Sequence, residues 1–118
     1  MTKKDIEKFI ETLDKTTYKS IRLKDDNVNP TKELSFKNTG LTYSPTIEIV
    51  RNNQTDLYEF EKSYRTAELS KLIAKWIMFS IRAKKLSGKF YLVVNKKDKP
   101  KFQQVIIDKQ LDVEVIEI

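Results

Sequence analysis

The chain contains no cysteine and no histidine. Without thiols there are no disulfides and no thiolate nucleophile. Without imidazole there is no Ser-His-Asp triad, and the two absences together remove the usual ligands of zinc. Chemistry is left to Asp, Glu, Lys and Tyr, and to a hard cation held by oxygen. Only two glycines occur, Gly40 and Gly88. Each marks an expected boundary, the first a hairpin turn and the second a helix end. No apolar run approaches the roughly 20 residues of a membrane helix. Met1-Thr2-Lys3-Lys4-Asp5 opens a charged helix instead of an apolar leader, so no signal peptide and a cytoplasmic location are expected. Asn53-Gln54-Thr55 then reads only as a polar turn.

What is present is charge. Of 118 residues 34% are charged and 39% hydrophobic, which suits one globular domain spanning 1–118. The balance is +6, with 23 Lys+Arg against 17 Asp+Glu. An excess of this size favours polyanionic partners, nucleic acid before an acidic membrane, although solubility alone gives the same bias. No membrane partner is expected.

Hydrophobic spacing orders the chain. Thr2 caps a first helix with Asp5 at its third position, and Ile6, Phe9, Ile10 and Leu13 share one face. Tyr18–Leu23 reads as a strand and Lys24–Pro30 as a polar loop. Glu33–Lys37 and Leu41–Ser44 form a hairpin about Asn38-Thr39-Gly40. Thr46–Val50 is a strand, and Arg51–Thr55 turns into a central strand. The spacing predicts a long helix over Thr66–Leu86 with Leu69, Leu72, Ile73, Trp76, Ile77 and Ile81 as its apolar stripe, ended by Gly88. Phe90–Val94 is apolar throughout, as a strand covered on both faces would be. A short helix from Pro100 and a strand at Val113–Ile118 close the chain. The β-α-β-α-β order of the second half predicts parallel pairing, hence an α/β fold with a single mixed sheet flanked by helices.

The central strand carries the signal for chemistry. In Asp56-Leu57-Tyr58-Glu59-Phe60-Glu61-Lys62-Ser63, Tyr58 and Phe60 face one way, and Leu57, Glu59 and Glu61 the other. Two carboxylates thus stand ~7 Å apart on one face. Either that face is solvated, or a cation compensates the several kcal/mol that burying each ion costs.

A helix, a meander, an acid pair on a strand, a long helix and the Phe90–Val94 strand together resemble the restriction-endonuclease-like, or PD-(D/E)XK, superfamily over most of the chain. Ser44-Pro45-Thr46-Ile47 is similar to its first motif, with Thr46 where an Asp is usual. Glu59-Phe60-Glu61 is similar to its second, with Glu61 where a Lys is usual. The resemblance implies Mg²⁺ held by carboxylates, here Glu48, Glu59 and Glu61, with Glu59 and Glu61 catalytic in phosphodiester hydrolysis. It also implies a first-helix glutamate, Glu7 or Glu11. A lysine near the acids would come from the long helix, either Lys71 or Lys75. In a degenerate centre that lysine would replace the metal.

On the same helix Lys71, Lys75, Arg82 and Lys85 form a cationic stripe suited to a phosphate backbone, or simply a solvated face. Phe79, if exposed, would mark a partner surface, a homodimer being the simplest case. The expected function is nucleic-acid processing, as a Mg²⁺-dependent nuclease with a degenerate centre. The alternative is a non-catalytic nucleic-acid-binding or protein-interaction module on the same fold.

Overall fold

The architecture is that of a computed structural model, which describes residues 2–35 and 41–118. Helix α1 spans Lys3–Glu11, and its capping box is closed at both ends: Asp5 N donates to Thr2 Oγ1 at 3.2 Å and Thr2 N to Asp5 Oδ2 at 3.0 Å. A single 3₁₀ turn at Lys15–Thr17 leads into β1, Ser20–Leu23. Part of the expected hairpin lies within the described residues. β2 (Leu34–Ser35) pairs antiparallel with β3 (Thr42–Tyr43), while the turn assigned to Asn38-Thr39-Gly40 lies outside the described residues.

β4 (Ile47–Arg51) and β5 (Gln54–Phe60) are antiparallel neighbours joined by a two-residue turn, tighter than Arg51–Thr55. Asn53 makes this turn by taking φ 62°, a left-handed conformation that asparagine tolerates. Helix α2, Leu69–Lys85, follows one 3₁₀ turn, and β6 is Phe90–Val94. Helix α3, Lys99–Asp108, has Pro100 in its first turn, where the missing N–H costs nothing. β7 is Glu114–Glu117.

The five-stranded sheet has the order β1-β4-β5-β6-β7. β1 and β5 are antiparallel to β4, while β5-β6 and β6-β7 are parallel. The carboxyl ends of β1, β5, β6 and β7 therefore meet the amino end of β4 at one end of the sheet. This is the mixed α/β sheet that the connection lengths predict. Phe9 of α1 covers one face with Ile47, Ile49, Tyr58 and Val93. Trp76 and Phe79 of α2 and Phe102 and Ile106 of α3 cover the other with Leu57, Phe90, Leu92 and Val94. β6 thus contributes to both cores, which is why its sequence does not alternate.

Two expectations need correction. The buried row of α2 turns after Trp76 to Phe79 and Ala83, whereas Ile77 and Ile81 are 38% and 51% exposed. Both rows satisfy helical spacing, but only the 76-79-83 row continues over Phe90 and Leu92. Phe79 is wholly buried, so the condition for a partner surface there is not met. The second correction concerns the end of α2. Ser87, at φ 60°, takes the left-handed position. Gly88 is required for close approach instead: a Cβ there would lie 1.9 Å from the Thr55 carbonyl oxygen. No helix among the described residues is long and apolar enough to cross a membrane.

Candidate acidic centre

The register places Glu48 opposite Leu57, and therefore on the same sheet face as Leu57, Glu59 and Glu61. Glu48, Glu59 and Glu61 are only 4%, 5% and 8% exposed, and on this face α2 covers β5 and β6. The solvated reading of the acid pair is thus replaced by a compensated one. Lys75 reaches down from α2 and holds its Nζ 2.9 Å from Glu59 Oε2 and 2.8 Å from Glu61 Oε2. Of the two lysines considered, Lys75 makes this contact, while Lys71 stays exposed.

The other partners come from positions fixed by strand pairing and helix phase. One residue before Ile47, Thr46 lies across from Glu59. Its backbone N–H donates to Glu59 Oε1 at 3.0 Å, and its hydroxyl donates to the same oxygen. Trp76 Nε1 donates to Glu61 Oε2 at 2.9 Å. Spacing alone assigned Trp76 to the core. The signal it missed is that a buried indole N–H needs an acceptor.

These contacts set the charge states. Burial pushes the Glu61 carboxyl above its ordinary value, aided by Glu59 and opposed by Lys75. Burial favours neutral Lys75, but the two carboxylates outweigh it and raise its pKa. The trio thus sets two acidic side chains against one ammonium in a site largely shielded from water, where a missing partner is costly.

Glu48 shares the face but not the cluster. Its Oε2 accepts from Arg22 Nη1 at 3.0 Å and its Oε1 from the Lys32 N–H at 2.8 Å. No three acidic side chains gather into a group that could hold a metal ion among the described residues. Asp56, also buried, accepts from the Lys89 N–H at 2.9 Å and ties β5 to the start of β6. Glu7 and Glu11 are exposed on α1. Glu7 lines a cleft of about 590 Å³ with Ile6, Ile10, Leu23 and Lys24, and Thr46 lies on its wall.

The cations divide into two groups. On α2, Lys71 and Lys85 are exposed and Arg82 is half-buried, while Lys75 is engaged with the acids. At the sheet end that carries Thr46 and Glu61, Lys24, Lys62, Arg65, Lys96 and Lys97 are all exposed, and none forms an ion pair among the described residues. Asn95 and Asp98 hold the two loops of this end together, through Asn95 Nδ2 to the Lys62 carbonyl at 3.1 Å and the Tyr64 N–H to Asp98 Oδ2 at 3.4 Å. Comparison with protein-family models, curated proteins and solved structures finds no match to this chain.

Proposed function

We propose that the chain is a non-catalytic nucleic-acid-binding domain of restriction-endonuclease-like type whose acidic centre is degenerate. It holds the phosphodiester backbone without hydrolysing it. The observation that carries this reading is the Lys75 ammonium, lying within 2.9 Å of both Glu59 and Glu61. Such a centre implies Mg²⁺, and the donors present do not suit it. The space between the two carboxylates is taken by Lys75. Thr46 offers a hydroxyl that already donates to Glu59, and Glu48 is turned to Arg22 and Lys32. A hard divalent cation favours carboxylate oxygens, and the position that would supply the next one is a threonine.

Neutralising one of two buried negative charges also lowers the repulsion that a phosphate would meet. We place the phosphate contact at the sheet end, where Lys62, Lys96 and Lys97 are exposed on the loops that follow β5 and β6. Such contact is sequence-independent and salt-sensitive. With about five phosphates neutralised, one for each exposed cation of that end, affinity for a short duplex falls roughly 500-fold between about 50 and 200 mM salt. Fluorescence anisotropy with duplex and single strands checks this. Charge reversal at Lys62, Lys96 and Lys97 is expected to weaken all sequences alike. No binding at low salt would move the assignment to a protein-interaction module.

A further inference from the structure

The outer side of α2 does not resemble the rest of the surface. Ala74, Ile77 and Ile81 form a ridge there, and Ile81 also borders a groove of about 290 Å³ between α2 and β2, walled by Leu34 and Met78. The helix carries five basic residues and no acidic one. Lys71, Arg82, Lys84 and Lys85 form no ion pair among the described residues. An apolar ridge framed by unpaired cations is complementary to one kind of surface, apolar along its centre and negative along its flanks.

We propose that this face docks an acidic amphipathic helix from a partner protein. The partner's apolar side chains would cover Ile77 and Ile81, and its carboxylates would meet Lys71, Lys84 and Lys85. Two other occupants fit less well. A nucleic-acid backbone gains nothing from isoleucines, and the aromatic rings of α2 that could stack a base, Trp76 and Phe79, are wholly buried. A second copy meeting this one α2 to α2 sets five basic residues against five, with only Glu68 at each N-cap to answer them. The inference does not rest on the acidic centre, since Ile77 and Ile81 are exposed while Glu59 and Glu61 are buried.

The test is an anisotropy titration of the whole chain with a labelled synthetic peptide of about five helical turns. The peptide carries leucines at i, i+3, i+4 and i+7 with glutamates beside them. Its controls are a scrambled peptide of the same composition, a DNA duplex and vesicles of anionic lipid. Binding of the patterned peptide is expected to weaken at least about tenfold in Ile77→Ser/Ile81→Ser and by a similar factor in Lys84→Glu/Lys85→Glu. Both variants alter exposed side chains, so unchanged thermal unfolding verifies that they fold. Equal binding of the scrambled peptide, unchanged affinity in the isoleucine variant, or no peptide binding at all would overturn the proposal. So would a duplex or vesicle that loses affinity in the isoleucine variant as the peptide does.

Discussion

Replacing Lys75 with methionine keeps most of the apolar stem and removes the ammonium, with its charge and its N–H donors to both carboxylates. Glu59 and Glu61, 5% and 8% exposed, would then face each other without a cation. Breaking a buried ion pair from one side costs about 3–5 kcal/mol, against about 0–1 kcal/mol for an exposed one. Lys75→Met is therefore expected to lower stability by about 3–5 kcal/mol, roughly 10–20 °C in Tm for a domain of this size. Urea denaturation followed by circular dichroism measures it. The deficit also depends on pH. Wild-type Glu61 is already raised above 4.5 by burial, with Lys75 opposing. Without Lys75 the folded state binds a proton more readily than the unfolded chain, so folding takes one up. The variant's deficit then shrinks as pH falls from 7 towards 5, by up to about 1.4 kcal/mol per unit. On the alkaline side the wild type loses the Lys75 contribution as pH rises from 10.5 through its raised folded pKa, and the variant has no such loss. Adding Glu61→Gln to Lys75→Met should recover much of the deficit, since one charge leaves the site. A loss below about 1 kcal/mol, or one independent of pH, would refute the buried network.

Trp76→Phe keeps most of the ring packing but removes the donor to Glu61, and is expected to cost about 1–3 kcal/mol by the same denaturation assay. Gly88→Ala forces a Cβ against the Thr55 carbonyl, a contact no rotamer relieves. It should destabilise by about 2 kcal/mol or more, whereas a Ser87→Gly change at the left-handed position should be neutral or stabilising. Tyr58 is pushed up to about 12 by burial and by the neighbouring Asp56 charge. An absorbance titration of the folded chain should leave it un-ionised near pH 11, and its full ionisation there would contradict the packing of Phe9 over it.

The sheet was legible in the sequence because each strand states how it is buried. Leu57 to Glu61 alternates and has different neighbours on its two faces, while Phe90 to Val94 does not alternate and is covered by helices on both. The acid pair was legible for the same reason, but the burial of its face was not, so a lysine from the long helix stood as only one of two readings. The phase of that helix was not. Ile73, Ile77 and Ile81 make as good a row as Trp76, Phe79 and Ala83, and only the position of β6 decides between them. The partners of Glu48 were hidden as well. Arg22 is 26 residues away, and a backbone N–H such as that of Lys32 leaves no mark in a sequence. Gly88 looked like a helix stop, and its contact with Thr55 becomes visible only once β5 lies beside it.

The central claim is that Lys75 occupies the place of a metal between Glu59 and Glu61. Its most direct test is cleavage of single-stranded and duplex DNA and RNA with Mg²⁺ or Mn²⁺, wild type beside Glu59→Gln. The claim predicts no metal-dependent cleavage in either protein. Cleavage by the wild type that requires the metal and disappears in Glu59→Gln would contradict it.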